Sequence, residues 1–318
     1  MKALALLSGG LDSTLAIKLM LNQMVEVEAL NFASPFCQCN HKGRCYSDEA
    51  ARMFNIPLKT IHKGEDYLTV INHPKYGYGS GVNPCIDCRI YMMKKAWEYA
   101  TKIGAKFIVT GEVLGQRPMS QHRRAMTTIE KEADLEGKVL RPLSAKLLPK
   151  TEAEKMGWVD RERLLGIKGR ARKVQMKMAE SNGITDYPCP AGGCLLTQKE
   201  FARRVRELFK NKSNIKMRDM LLLKIGRHLW QDGSHVIVGR NESENKQLMA
   251  ARQPDDYYFE VKGYGSPITV LQGHKTNDAI RRAATLTARY SDATNAKVQV
   301  EYGNDAHIEK IAVNPPSA

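Results

Sequence analysis

Ser8-Gly9-Gly10-Leu11-Asp12-Ser13-Thr14 stands between an apolar run, Ala3 to Leu7, and a helix-forming stretch, Ser13 to Gln23, and its reading decides the fold of the first half of the chain. Glycines at the end of a strand let the backbone close tightly around an anion, and the N–H groups that open the following helix supply positive potential. Ser8, Ser13 and Thr14 add hydroxyl donors. Asp12 would repel a phosphate unless magnesium lay between them, so the heptad predicts a nucleotide bound with its metal. The bland alternative is a strand-to-helix turn capped by Ser13; a lone Gly-Gly pair would leave it standing, but seven such residues at a strand end favour phosphate binding. The Walker lysine is missing and the spacing is not that of the Rossmann fingerprint.

Outward from the heptad, strand and helix patterns alternate. Val25 to Phe32, Leu58 to His62 and Phe107 to Thr110 read as strands, while Ser47 to Phe54 and Asp87 to Ile103 read as helices. This alternation predicts an α/β fold, a parallel sheet with helices on both faces and ligands at the carboxyl ends of the strands. From Lys199 the pattern changes. Leu221 to Ile225, His235 to Gly239, Tyr257 to Val261 and Lys297 to Tyr302 read as strands beside one helix, Asn277 to Tyr290. A smaller α+β domain is expected there, which divides the chain at 1–205 and 206–318.

The 318 residues carry 49 basic and 34 acidic side chains, a net charge of +15, and 42% hydrophobic residues, which excludes disorder and collagen. No apolar run is long enough for a membrane span, and a cytoplasmic protein with reduced thiols is expected. Charge is concentrated in the middle: residues 141–240 hold 22 basic and 10 acidic groups, net +12, against +4 before them and −1 after. Such a surplus points to a polyanion, here nucleic acid. Lys199, Arg203, Arg206 and Lys210 line one stripe of a helix whose other side is Phe201, Val205 and Leu208. Arg161, Arg163, Lys168, Arg170, Arg172 and Lys173 form a second basic run suited to phosphate contact. Arg117, Gln121, Arg123 and Arg124 follow the strand ending at Thr110, where arginines can hold phosphates and amides can read bases.

The heptad resembles Ser-Gly-Gly-x-Asp-Ser, the pyrophosphate loop of the N-type ATP pyrophosphatases, at every defined position. That resemblance implies an adenine nucleotide alpha hydrolase-like, Rossmann-like fold, ATP and magnesium as cofactors, and an adenylated intermediate. Asn83-Pro84-Cys85-Ile86-Asp87-Cys88 resembles the Asn-Pro-x-x-x-Cys segment of the tRNA 2-thiouridylases, and Gly192-Gly193-Cys194-Leu195 resembles the loop of their second catalytic cysteine. Thr110-Gly111-Glu112 is similar to their Thr-Gly-His near the adenosine, and Arg141-Pro142-Leu143 with Lys150-Thr151-Glu152 to their Pro-Leu and Lys-x-Glu stretch. The family usually has Asp where this chain has Cys85. The change gives C-x-x-C plus a distant Cys, the pattern of thiolases that hold a 4Fe-4S cluster on three thiolates, Cys85, Cys88 and Cys194. A disulfide and persulfide route through Cys88 and Cys194, zinc, and simple packing remain alternatives, and Cys189 competes for the third place. Cys37, Cys39, His41 and Cys45 are enough in number for tetrahedral zinc, although C-x-C is tight for it and a mobile substrate loop after the second strand is the alternative.

The tail, Ile237 to Asn245 including Arg240, with Ala284 to Ala293 and Val298 to Tyr302, resembles the NFACT RNA-binding domain. These resemblances together imply an ATP-dependent tRNA thiouridine synthase: uridine is adenylated at a carbonyl oxygen and sulfur replaces that oxygen. Sulfur would come from a cysteine desulfurase, a persulfide carrier or hydrosulfide. The sequence leaves open the product (2-thiouridine or 4-thiouridine), the tRNA position and the oligomeric state, a homodimer included. Two rivals stand beside this reading: an adenylating enzyme for a small molecule, which would not need the basic middle, and a non-catalytic RNA-binding protein, which would not need the intact heptad.

Overall fold

The computed structural model describes residues 1–37, 46–185, 187 and 193–315, in two compact units, Met1–Lys199 and Glu200–Ala318. The break falls six residues before the sequence-based division at 205/206, at the start of a helix.

In the first unit the chain runs β1 (Lys2–Leu6), α1 (Leu11–Leu21), β2 (Glu26–Ala33), α2 (Tyr46–Met53), β3 (Leu58–His62), α3 (Asp66–Asn72), α4 (Cys85–Lys102), β4 (Phe107–Thr110), α5 (Arg123–Glu132), β5 (Val139–Leu140), α6 (Glu152–Lys155) and α7 (Lys173–Ser181). The strands form a parallel sheet in the order β3-β2-β1-β4-β5. The unbroken apolar run of β1 is explained by burial on both faces. Ala3 and Ala5 join a core with Leu15 of α1 and Ala179 of α7; Leu4 and Leu6 join another with Met93 and Ala96 of α4 and Ile129 of α5. From β1 the chain steps outward to β2 and β3, then returns to place β4 on the other side of β1. The carboxyl ends of β1 and β4 therefore part at a topological switch point, where an open α/β sheet takes its ligand.

The second unit contains α8 (Lys199–Asn211, which opens at the junction), α9 (Met217–Leu222), β6 (Arg227–Gln231), β7 (Ser234–Val238), α10 (Glu242–Ala251), β8 (Tyr257–Glu260), β9 (Thr269–Gly273), α11 (Asn277–Arg289), β10 (Val298–Gly303) and β11 (Ile308–Val313). Its sheet is antiparallel, in the order β11-β10-β8-β9-β7-β6. Val236 and Val238 face α11, whereas Ile237, between them, joins Leu222 and Leu248 on the opposite face. The strand expected at Leu221 to Ile225 is instead the end of α9 and a turn. Asp219 accepts the Lys216 backbone N–H at 2.9 Å, and this cap decides a short apolar run that periodicity alone leaves ambiguous.

Candidate nucleotide and thiol site

The heptad sits at the switch point and folds on itself. Gly10 is the N-cap of α1, and Ser13 Oγ and Thr14 Oγ1 donate to its carbonyl at 2.8 and 3.1 Å. Ser8 N donates to Ser13 Oγ at 3.3 Å. Gly9 has φ +75°, and a β-carbon on it would lie 2.6 Å from the backbone of Tyr46 and Ser47. Ser8, Gly10, Asp12, Ser13, Thr110 and Gly111 line one cavity of about 170 Å³, together with Leu30 and Phe32 of β2. Thr14, expected as a phosphate donor, is 3% exposed and turned to Gly10.

Three residues expected at the RNA surface lie in this cavity. Gln121 is buried, Arg117 lines the wall, and the Arg172 guanidinium stands 3.4 Å from Asp12 Oδ2, which also accepts from Gln116 Nε2 at 3.1 Å. Asp12 Oδ1 is buried with no hydrogen-bond partner. An orphaned carboxylate oxygen in this cavity fits a magnesium ion, a hard cation that takes oxygen ligands.

Gly111 marks how closely β4 approaches the loop. A β-carbon there would lie 2.4 Å from Ser13 N and 2.6 Å from the Asp12 carbonyl carbon, both backbone atoms that cannot swing aside. Gly111→Ala is therefore expected to push the loop from its working position, and displacements of about 1 Å cost roughly 10² in rate. AMP formation should fall by that factor while far-UV circular dichroism stays unchanged, and near-wild-type turnover would show that the contact does not matter.

Glu112 departs from the family's histidine. It is 2% exposed and held between Arg141 Nε at 3.0 Å and Arg89 Nε at 3.4 Å. Burial opposes its charge, but the two guanidinium groups outweigh burial and hold its carboxyl below the usual range. Arg89 and Glu112 both line the same cavity, and Arg89 is the residue after Cys88. The ion pair thus ties the N-terminal half of α4 to the segment just after β4.

Three distant segments meet at the thiols. Val82 N donates to Leu196 O at 2.9 Å, Leu195 N donates to Phe36 O at 2.8 Å, and Cys37 faces Cys194 across an isolated antiparallel bridge. Asn83 Nδ2 donates to Cys85 Sγ at 3.1 Å. Lys63 Nζ lies 3.1 Å from Cys88 Sγ, and Tyr67 also hydrogen-bonds that sulfur. Burial disfavours the Cys88 thiolate, but the Lys63 charge, with Tyr67 and Arg89, overcomes burial and lowers its pKa. Burial raises Cys85 and pushes Cys194 to about 11, with the charges of the neighbouring cysteines adding to both. The three sulfurs are thus close enough to feel one another. Among the described residues no three ligating side chains surround a single ion. A cluster whose irons take one thiolate each does not need that convergence, so the sulfur donor set fits a 4Fe-4S group in type and number.

Lys63, at the end of β3, and Tyr67 of α3 were not found from sequence, because nothing local in residues 63–72 signals a thiol contact. Cys39, His41, Cys45 and Cys189 lie outside the described residues. The α8 stripe Lys199, Arg203, Arg206 and Lys210 is exposed as expected, with Phe201, Val205 and Leu208 buried on its other side. Arg203 is engaged by Glu200 at 3.3 Å and Glu207 at 2.8 Å, and Arg240 by Glu244, so their charges are partly offset. Arg170, Lys173 and Arg124 are exposed; Arg123 is exposed with its guanidinium donating to Leu147 O at 2.8 Å.

Residues 1–147 match the family model described as thiamine biosynthesis protein (ThiI), and residues 226–318 match that of the NFACT protein RNA binding domain. The two matched stretches follow one another along the chain without overlap. The ThiI-type match takes in the heptad, Cys85, Cys88 and Thr110-Gly111 and ends before Cys194. The chain is similar to a probable tRNA sulfurtransferase of Thermococcus kodakarensis, 30% identical over 151 residues that cover 45% of this chain and 36% of that protein. It is 36% identical over 146 residues to one of Lysinibacillus sphaericus, covering 45% of this chain and 34% of that protein. The chain thus matches about a third of the length of these curated relatives. A solved 4-thiouridine synthetase in complex with RNA and bound ATP gives a TM-score of 0.39 at 22% identity, covering 70% of this chain and 52% of that one, a likeness too small to carry chemistry. No helix among the described residues is long and apolar enough to cross a membrane.

Proposed function

We propose that the chain is an ATP-dependent tRNA sulfurtransferase that adenylates a uridine carbonyl and replaces its oxygen with sulfur. One observation carries the reading: the cavity formed by the phosphate loop is closed on another side by Arg89 and Met92 of the cysteine helix, and Met92 Sδ lies 3.9 Å from Cys88 Sγ. A nucleotide held by Ser8 to Ser13 would thus be activated close to the Cys88 thiol. The names of the similar proteins support the same chemistry, and the NFACT-type domain supports RNA as the substrate.

In this reading the helix N-terminus and the loop N–H groups hold the phosphates of ATP, and Asp12 with Arg172 orients the reacting end. Magnesium on Asp12 would neutralise the departing pyrophosphate. The uracil oxygen attacks the α-phosphorus, pyrophosphate leaves, sulfur attacks the activated carbon, and AMP departs with the former carbonyl oxygen. Cys85, Cys88 and Cys194 would hold a 4Fe-4S cluster, which supplies an open iron as a place for sulfur. A second reading rests on Lys63 and Tyr67, which favour the Cys88 thiolate and suit it to carry sulfur as a persulfide. Mass spectrometry of tRNA nucleosides from a strain lacking the gene tests the function: one thiouridine should disappear and return on complementation, and an unchanged nucleoside profile would contradict it.

RNA held through the basic helix should bind with a steep salt dependence. If about six phosphates are neutralised, affinity falls roughly 10³-fold or more between 50 and 200 mM salt. Arg203→Glu with Arg206→Glu should flatten that slope, because both side chains stand on the exposed face of α8. A slope unaffected by the double reversal would place recognition on other residues.

A further inference from the structure

Cys37 was grouped by sequence with Cys39, His41 and Cys45, but the fold sets it against Cys194. The Leu195 N–H to Phe36 carbonyl bond joins the residues flanking this pair, which makes Cys37 and Cys194 a non-hydrogen-bonded antiparallel pair. In such pairs the α-carbons are about 4.5 Å apart and the side chains are nearest to each other. Cys194 in turn lies within electrostatic reach of Cys85 and Cys88. Among the four described cysteines, Cys37 alone is exposed, while Cys85, Cys88 and Cys194 are partly buried. Of these four thiols, Cys37 is therefore the one most open to a sulfur carrier at the surface.

We propose that Cys37 is the thiol that receives sulfur from outside, taking the terminal sulfur of a donor persulfide and holding it beside Cys194. The inference rests on the sulfur-transfer reading above. In the step, the Cys37 thiolate attacks the terminal sulfur of R–S–S⁻, a new bond forms between Cys37 Sγ and that sulfur, and the donor S–S bond breaks. Its electron pair leaves on R–S⁻. The exchange has no net oxidation and needs no further reactant or proton.

The full-length protein is incubated with glutathione persulfide, freed of excess reagent, alkylated and analysed by peptide mass spectrometry. One added sulfur is expected on Cys37, in the wild type and in Cys88→Ser alike. Cys37→Ser should lower thiolation of tRNA at least tenfold when glutathione persulfide is the source, and hydrosulfide, which needs no receiving thiol, should restore product. Sulfur found on another cysteine with Cys37 unmodified, or persulfide-driven thiolation undiminished in Cys37→Ser, would overturn the proposal. If the wild type thiolates tRNA from neither source, the tRNA reading fails, and the labelling pattern still decides the role of Cys37.

Discussion

Asp12→Ala should abolish ATP cleavage to AMP and pyrophosphate. The carboxylate lies in the phosphate cavity with Oδ1 buried and unpartnered and Oδ2 shared by Gln116 and Arg172. Removing it would take away the oxygen proposed to hold magnesium and leave Arg172 without its carboxylate, free to bind the phosphates in an unproductive way. Loss of one preorganised group at the site of developing charge costs about 10²–10³ in rate, and loss of the metal with it costs more. A fall of at least 10³ in AMP release is expected by this comparison. Asp12→Asn keeps the contact with Gln116 without the charge and should be nearly as inactive. Affinity for tRNA should change by only a few-fold in both, because the phosphate contacts assigned to α8 do not involve Asp12. Quantifying AMP by chromatography checks this, and AMP release within tenfold of wild type in Asp12→Ala would mean that the loop does not bind its nucleotide through a metal.

Cys88→Ser should eliminate thiouridine formation while ATP still binds, whichever way sulfur is carried. Serine hydroxyl is neither an iron ligand of comparable softness nor a nucleophile that holds sulfur. Cys85 separates the two routes. If three thiolates hold a cluster, anaerobic protein contains about four iron and four sulfide per chain, and Cys85→Ser loses both together with thiolation. If Cys88 works as a persulfide, Cys85→Ser keeps substantial activity. The protein freed of metal offers a further check, because the lowered pKa of Cys88 has a sign that can be tested. Its thiolate should persist below the ordinary thiol value of about 8.5, so alkylation at Cys88 should stay fast as pH falls through that value. Lys63→Met should move the inflection upward, and Lys63→Arg should restore it in part. An inflection unaffected by Lys63→Met would separate the lysine from the thiol.

The heptad was legible because glycines, hydroxyls and a carboxylate at fixed spacing have few other uses at the end of a buried strand. The parallel sheet was legible from uninterrupted apolar runs such as Ala3 to Leu7, since only burial on both faces tolerates them. What remained hidden was long-range. Arg172 reads as part of a basic run, yet it faces Asp12, 160 positions earlier in the sequence. Gln121 reads as a loop amide and is buried in the nucleotide cavity. Lys63 looks like any strand-end lysine until the fold brings it to Cys88. The pairing of Cys37 with Cys194 was hidden for the same reason, since no local pattern encodes a bridge between residues so far apart in sequence. The misread strand at Leu221 failed on a different count, because three leucines carry no period and the cap that decides them lies upstream at Lys216 and Asp219.

If ATP activates the uridine carbonyl itself, the oxygen of that carbonyl must leave on AMP. tRNA carrying ¹⁸O at the carbonyl that is replaced is incubated with the protein, ATP and a sulfur source, and the AMP released is analysed by mass spectrometry. Attack of that oxygen on the α-phosphorus requires one ¹⁸O in each AMP formed with thiouridine. AMP without label, accompanied by thiolated tRNA, would contradict the adenylation mechanism and with it the role assigned to the phosphate loop.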